Sequence, residues 1–251
     1  MSKIKISAVS YTNTLPFIYG IENSSLMNKI VLSKDIPSIC AQKLLNNEVD
    51  LGLIPVAVIP KLKNYEIISD FCIGASKAVR SVILASHCPL EEVKTIYLDY
   101  HSRSSVMLSR ILAKHFWKID VKWIDSTEGF ENRIKDNEAG VIIGDKALVV
   151  ENNFPFVYDL AEEWIKFTNK PFVFAAWVAN KKLNDQFVND FNKALKLGTK
   201  NIEKVVTVSH DLNLPPHFNL TEYLIKNIDY HFDSEKSEGM KLFLKYAEEF
   251  K

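Results

Sequence analysis

Short apolar runs alternate with helix-like segments along this chain, and this alternation limits its possible folds more than any other feature. The runs at 51–59, 79–85 and 172–179 suit strands that are covered on both faces. Helical periodicity is clearest at 106–116 and 184–206. Further strands are predicted at 3–6, 95–98 and 140–144, and further helices from Asp35, at 146–151, at 220–227 and at 237–250. Strands that alternate with helices predict an α/β protein with mostly parallel sheets.

The length of the chain, 251 residues, allows one large domain or two smaller lobes. We interpret the stretches at 84–90 and 177–181 as two crossings between lobes. Lobe I then comprises residues 1–86 and 178–251 and contains both chain ends. Lobe II, residues 87–177, is inserted into lobe I.

The charge balance gives no support for a nucleic-acid or membrane partner. Lys plus Arg number 31 and Asp plus Glu number 31, so the formal net charge is zero. No apolar run approaches the roughly 18 residues of a membrane span, and no signal-peptide core follows the N-terminal lysines. The odd number of scattered cysteines, Cys40, Cys72 and Cys88, favours a reducing compartment. We therefore predict a cytoplasmic location.

The common cofactor and metal motifs do not occur in the sequence. It contains no Gly-x-Gly-x-x-Gly, no P-loop, no His-Glu-x-x-His and no Gly-x-Ser-x-Gly. Only 8 glycines occur, and the 6 histidines show no metal-ligand spacing. These features argue against a nucleotide cofactor and against a zinc site, and we predict neither a cofactor nor a metal.

Small polar residues instead follow several of the predicted strands. In open α/β sheets, ligands bind outside the carboxyl ends of the strands. Five segments meet this condition, namely 10–14, the stretch around 54–56, 80–81, 102–105 and 144–145. Together they predict a binding site built from the loops at strand ends.

The segment at 102–105, Ser-Arg-Ser-Ser, coincides with a predicted helix start. The first turn of a helix has unpaired N–H groups and a partial positive charge, so it can hold a carboxylate or a phosphate. Serine is also a preferred N-cap residue, and capping alone is the simpler explanation of the segment. Both interpretations stay open at this point.

Three further side chains have a structural and a functional interpretation. The Asn13 amide can bond a ligand oxygen, or form an Asx turn. The Ser81 hydroxyl lies in an apolar run and needs a partner, either the backbone or a ligand at the lobe junction. Asp145 can present a carboxylate beside Gly144, or act as an N-cap. Arg80 fits a structural ion pair.

Seven motifs, in register and without large gaps, resemble a known family. They are 10–16 (Ser-Tyr-Thr-Asn-Thr-Leu-Pro), 50–56 (Asp-Leu-Gly-Leu-Ile-Pro-Val), 72–75 (Cys-Ile-Gly-Ala) with 79–82 (Val-Arg-Ser-Val), 102–105, 143–148 (Ile-Gly-Asp-Lys-Ala-Leu), 158–164 (Tyr-Asp-Leu-Ala-Glu-Glu-Trp) and 171–177 (Pro-Phe-Val-Phe-Ala-Ala-Trp). The family is the chorismate dehydratases of the futalosine route to menaquinone. The resemblance spans residues 3 to about 180, and the C-terminal 70 or so residues match only as a helical region.

The resemblance implies a fold and an activity. The fold is that of a type II periplasmic binding protein, with two α/β lobes and a ligand cleft between them. The activity is that of a hydro-lyase, which removes water from chorismate and gives 3-(1-carboxyvinyloxy)benzoate. The sequence departs from the family at Thr12, where Leu is usual, at 76–78, where Asp-Gly-Pro is common, and at Tyr100 and His101, which replace small residues.

The resemblance also assigns roles to residues. Asn13 and Ser81 become the catalytic residues, Asn13 at the leaving hydroxyl or the carboxyvinyl arm and Ser81 at the hinge. The predicted substrate-binding residues are Ser10, Tyr11, Thr14, Ile54, Ser102, Arg103, Ser104, Ser105, Gly144 and Asp145. The base that removes the C3 proton is either Asp145 or the carboxyvinyl carboxylate of the substrate itself.

Two rival functions share the predicted fold. One is a non-catalytic protein that binds a small carboxylate, because fold does not fix function. The other is a later enzyme of the same pathway, whose opening motifs differ. The predicted partner is chorismate, a small dicarboxylate, and the sequence leaves the oligomeric state open.

Overall fold

The computed structural model describes residues 3–210 and 212–250 as two β-sheets with helices packed around them. The strands are β1 (Ile4–Val9), β2 (Ile30–Asp35), β3 (Leu51–Pro55), β4 (Glu66–Ala75), β5 (Val82–Ser86), β6 (Thr95–Leu98), β7 (Lys122–Asp125), β8 (Glu138–Ile143), β9 (Phe156–Asp159), β10 (Phe172–Ala179) and β11 (Asp229–His231). The helices are α1 (Leu15–Glu22), α2 (Pro37–Leu45), α3 (Ser104–Leu112), α4 (Asp145–Val150), α5 (Leu160–Thr168), α6 (Asp185–Thr199), α7 (Ile202–Val208), α8 (Leu220–Lys226) and α9 (Ser234–Ala247). Within these described ranges, no helix has the length and apolar character that crossing a membrane requires.

One sheet has six strands in the order β11-β4-β10-β3-β1-β2, and the other has five in the order β7-β6-β8-β5-β9. Every residue of β3 and of β10 is buried, as their continuous apolar sequences predict for strands covered on both faces. The α/β class is therefore confirmed.

The expectation of mostly parallel sheets is wrong, because both sheets are mixed. β1 pairs in parallel with β2 and β3, and β6 pairs in parallel with β7 and β8. β10 is antiparallel to β3 and β4, β5 is antiparallel to β8 and β9, and β11 is antiparallel to β4. β5 and β10 each follow a crossing from the other sheet. They start at the edge where the two sheets face each other, so they run against their neighbours.

Several predicted elements end where proline or a break in periodicity stops them. The apolar run at 51–59 is a strand only to Pro55 and continues as a 3-10 helix, Val56–Lys61, that contains Pro60. The helical region predicted at 184–206 divides into α6 and α7. The strands at 95–98 and 172–179 have the predicted bounds.

The strand memberships bear on the predicted lobe limits. β5 pairs within the five-stranded sheet and β10 within the six-stranded sheet. The chain therefore passes between the sheets at 76–81 and again at 160–171, before each of the predicted crossings. The division into two lobes at the predicted limits stays a prediction.

Helices α1 and α6 cross at two glycines. A Cβ on Gly198 would lie 1.6 Å from the Pro16 carbonyl oxygen, and a Cβ on Gly20 would lie 1.9 Å from the Ala194 carbonyl oxygen. Only glycine permits backbones to approach this closely. Since α1 begins directly after the loop at 10–14, this contact also fixes that loop.

We expect Gly198→Ala to destabilise the protein by about 2 kcal/mol or more, because the added methyl group overlaps the α1 backbone. Helix propensity alone predicts the opposite sign, a gain of about 1 kcal/mol. Urea unfolding measures the free energy, and Lys196→Ala on the exposed side of α6 is the control. A stabilised Gly198→Ala variant would contradict the packing argument.

Candidate functional site

A cavity lies where the carboxyl ends of β1, β3 and β8 meet the start of α3. The structure brings seven of the predicted site residues to its wall, namely Tyr11, Asn13, Ser81, Ser102, Ser104, Ser105 and Gly144. The other lining residues are Val9, Pro37, Pro55, Ile73, Val79, Val82, Ile143, Phe174 and Ala175. Of the described residues that line this cavity, none carries a Lys, Arg, Asp or Glu side chain.

Asn13 presents an unsatisfied amide to the cavity. It lies in a 3-10 helix, Thr12–Thr14, directly after β1, and the residue is only 8% exposed. Its side-chain Oδ1 has no hydrogen-bond partner among the described residues. A buried polar atom without a partner costs about 1–3 kcal/mol, so the amide is placed for a group that enters the cavity.

Ser81 is the second buried polar group without a partner. The residue is 1% exposed and its Oγ makes no hydrogen bond of normal geometry within the described residues. It precedes β5 rather than lying inside the strand, because Arg80 adopts a left-handed φ of 62°. The Arg80 N–H donates to Asp159 Oδ2 at 2.6 Å, and its guanidinium pairs with Glu151. Arg80 therefore has the structural ion pair that its sequence position suggested.

The serines at the start of α3 divide between capping and binding. Ser102 Oγ accepts from the Ser105 N–H at 3.1 Å, which is a capping bond. Ser104 Oγ donates to the Phe174 carbonyl at 2.9 Å and accepts from the Ala57 N–H at 3.2 Å. The Ser105 hydroxyl lines the cavity and makes no hydrogen bond within the described residues. Capping explains Ser102, whereas Ser105 and the N-terminal dipole of α3 stay available to an anion.

Asp145 lies beside the cavity but not on its wall. Its carboxylate accepts from the Thr12 N–H, at 3.0 Å to Oδ1 and 3.3 Å to Oδ2. Burial raises the pKa of Asp145 above its usual range, and the bond from Thr12 opposes that rise. The carboxylate therefore joins the loop after β1 to the start of α4, across the two sheets.

Gly144 makes room for Tyr11. Its φ is 68°, and an added Cβ would lie 2.8 Å from the Tyr11 ring. The Tyr11 hydroxyl hydrogen-bonds His101 Nδ1 at 2.8 Å. Burial, with smaller contributions from Asp99 and Asp145, raises the pKa of Tyr11 far above its usual range. The Tyr11 hydroxyl therefore stays protonated and can donate to a neutral His101 imidazole.

Besides Asp145, four predicted binding residues lie outside the cavity wall. Ser10 is exposed, and Ile54 is buried in the core beside Pro55. Thr14 Oγ1 donates to the carbonyls of Val9 and Tyr11 at 2.6 and 2.7 Å. The exposed Arg103 donates to the Ser102 carbonyl at 2.9 Å. Contact between these four residues and a ligand stays a prediction.

Two tyrosines that support the cavity escaped the sequence reasoning. The Tyr230 hydroxyl donates to the buried Asn13 carbonyl at 2.9 Å, and Tyr223 packs near Ser81. Both lie in the C-terminal region that the sequence identified only as helical. A tyrosine on the buried face of an element has the same pattern as any core residue, so no sequence signal distinguishes the two.

The residues present do not suggest a metal centre. In residues 3–210 and 212–250, no group of three or more His, Cys, Asp or Glu side chains is placed to hold an ion. All three cysteines are free and buried.

The two sheets and the cavity between them define a class of protein, the α/β proteins with a periplasmic-binding-protein-like fold. The chain is similar to a protein of Archaeoglobus fulgidus (TM-score 0.74, 13% identity, 99% of this chain and 97% of that chain). It is also similar to the periplasmic aliphatic sulphonate binding protein of Escherichia coli (TM-score 0.63, 14% identity, 100% and 87%). A Candida albicans protein described as having the generic periplasmic binding protein fold has a TM-score of 0.63 (15% identity, 99% and 90%). These likenesses confirm the predicted fold.

The model of the menaquinone biosynthesis family matches residues 4–249. The chain belongs to this family, which confirms the resemblance drawn from the motifs. The family match extends through the C-terminal region, where the motifs give no guidance.

The Tyr11–His101 hydrogen bond predicts that the stability of the folded protein depends on pH. Burial lowers the pKa of His101 below its usual value, while Asp99 and Glu128 raise it and Lys146 lowers it further. Only neutral His101 can accept a hydrogen bond from Tyr11. The contribution of this bond to folding stability is therefore complete above the unfolded pKa of about 6.5. It is lost as the pH falls through the folded pKa.

We expect wild type to lose about 1 kcal/mol relative to His101→Gln as the pH falls from 7 toward 4, because glutamine accepts from Tyr11 without titrating. Urea unfolding of both proteins across this range measures the difference. Parallel stability curves for the two proteins would show that the bond does not depend on protonation of His101.

Proposed function

We propose that the protein is a chorismate dehydratase, a hydro-lyase that converts chorismate to 3-(1-carboxyvinyloxy)benzoate and water. The observation that carries this proposal is the pair of buried, unsatisfied groups, Asn13 Oδ1 and Ser81 Oγ, on the wall of one cavity. The family resemblance assigned catalytic roles to these two residues. Membership of the menaquinone biosynthesis family supports the pathway to which this reaction belongs.

The cavity suits a dicarboxylate that is held without a cation. The first turn of α3 offers N–H groups and the Ser105 hydroxyl to one carboxylate. Ser81, at the crossing between the sheets, offers a hydroxyl to the other end of the ligand. Hydrogen bonds from fixed dipoles are stronger in an enclosed apolar site than in water. The Escherichia coli neighbour is named for a sulphonate, which is also an anion.

Asn13 would act at the leaving hydroxyl. Its amide can accept the hydrogen bond of the C4 hydroxyl and donate to an oxygen of the carboxyvinyl arm. The Tyr230 hydroxyl holds the Asn13 backbone at 2.9 Å, so the amide is fixed before substrate enters. A fixed amide orients the hydroxyl toward the proton that must reach it.

The position of Asp145 favours a base supplied by the substrate. Its carboxylate is already bonded to the Thr12 N–H and does not line the cavity. In our proposal the carboxyvinyl carboxylate takes the C3 proton, and the C3–H electron pair forms the new ring double bond. The C4–O bond breaks, and the same proton leaves with the hydroxyl as water. Aromatisation of the ring drives the elimination, which is syn because the C3 proton and the C4 hydroxyl share one face.

Incubation with chorismate tests the proposal directly. We expect loss of the diene absorbance together with formation of the aromatic product, identified by mass spectrometry. The matched control is Asn13→Ala, which removes the predicted catalytic amide. Binding of chorismate without any conversion would favour a non-catalytic protein that binds a small carboxylate. Absence of both would favour a later enzyme of the pathway.

A pair of variants tests the assignment of the base. We expect Asp145→Asn to keep kcat within about threefold, because the amide oxygen still accepts from Thr12. We expect Asn13→Ala to lower kcat by about a hundredfold or more, the typical effect of losing one oriented hydrogen-bonding group. Steady-state kinetics with chorismate measures both effects. A loss with Asp145→Asn as large as that with Asn13→Ala would assign the base to Asp145.

A further inference from the structure

The segment that contains α8 packs against the crossing that carries Ser81. Asn227 Nδ2 donates to the Ala78 carbonyl at 2.8 Å, and the Arg80 guanidinium lies 5.2 Å from the centre of the Phe218 ring. Tyr223, on α8 between these two contacts, has its ring centre 5.5 Å from that of Phe218, with the two rings tilted by 59°, and is 1% exposed. The Tyr223 side chain is therefore fixed by its neighbours on the side of the crossing.

The hydroxyls of Tyr223 and Ser81 form an incomplete pair. Each is buried, and neither has a hydrogen bond of normal geometry within the described residues. They nevertheless lie close enough for Ser81 to oppose part of the large rise in the Tyr223 pKa that burial produces. Because the effect of burial on the pKa is the larger one, Tyr223 stays protonated and its hydroxyl can donate.

Two adjacent buried hydroxyls that remain unpaired carry a free-energy cost that a simple core pair would avoid. A third group resolves the cost. When Ser81 donates to an anion in the cavity, its oxygen becomes a better acceptor, and a chain from Tyr223 through Ser81 to the anion is cooperative.

We propose that Tyr223 is a positioning residue for Ser81, donating to Ser81 Oγ when Ser81 donates to a carboxylate of the bound ligand. This inference rests on the proposed function for the identity of the ligand. It assigns a role in the site to the C-terminal region, where none of the sequence motifs lies.

The test is a double-mutant cycle with Tyr223→Phe, Ser81→Ala and the double variant. We expect Tyr223→Phe to lower kcat/KM for chorismate by about tenfold, the loss of one ligand-strengthened hydrogen bond. The double variant should match Ser81→Ala within about twofold, because Tyr223 acts only through Ser81. Additive losses, or an unchanged kcat/KM in Tyr223→Phe, would overturn the inference.

Stability separates this role from a structural one. The Tyr223 hydroxyl makes no hydrogen bond of normal geometry to another described residue, so we expect the Tm of Tyr223→Phe to equal or exceed that of wild type. Tyr97→Phe is the matched control. Tyr97 does not line the cavity, and its hydroxyl donates to Glu138 at a distance of 2.9 Å. The control variant should lower Tm slightly and leave kcat/KM unchanged. A lower Tm in Tyr223→Phe would indicate a structural role.

The cycle is also measured on the Kd for chorismate by calorimetry. If wild type converts chorismate and the cycle shows no coupling, only the inference about Tyr223 fails. If wild type binds chorismate without converting it and the coupling appears in Kd, only the proposed reaction fails. If wild type neither converts nor binds chorismate, both fail.

Discussion

The hydrogen bonds of one buried serine join the two halves of the cavity wall. Ser104, at the start of α3, donates to a carbonyl of β10 and accepts from an N–H that follows β3. α3 follows β6 of the five-stranded sheet. The two hydrogen-bond partners of Ser104 lie on β10 and directly after β3, which belong to the six-stranded sheet. Because Ser104 and the Phe174 carbonyl are buried, breaking the bond between them would leave an unsatisfied polar atom. The helix terminus is therefore fixed relative to the other sheet, and the cavity has a defined shape.

The cavity wall has polar groups without hydrogen-bond partners, and its described residues include no Lys, Arg, Asp or Glu. Its polar groups are an amide, hydroxyls and the N–H groups of a helix terminus, set among apolar residues. Asp145, which follows the lining residue Gly144, is bonded to the Thr12 N–H. Such a site offers an anion fixed dipoles rather than a counter-ion, which favours binding that depends on orientation. The reaction that we propose is driven by aromatisation, so it needs orientation more than it needs a strong acid or base.

The polar loops have two kinds of role, which the structure separates. Tyr11 and Asp145 reach across to the opposite sheet, while Asn13 and Ser81 keep unsatisfied atoms on the cavity wall. The residues of the first kind join the two sheets around the cavity, and those of the second kind have polar atoms that can bond a ligand. The supporting tyrosine at 230 comes from the C-terminal region, so the site uses the whole length of the chain.

The sequence by itself determined the α/β class, the family, several strand bounds such as those of β6 and β10, and seven residues of the cavity wall. These follow from local information, because periodicity and small polar motifs are read within a few residues. Only the tertiary structure decided the directions of β5 and β10. It also decided the capping role of Ser102, the outward position of Arg103 and the positions of Tyr223 and Tyr230 near the cavity. Strand direction and a hydroxyl's partner depend on groups far apart in the chain, and no local pattern encodes which of them meet.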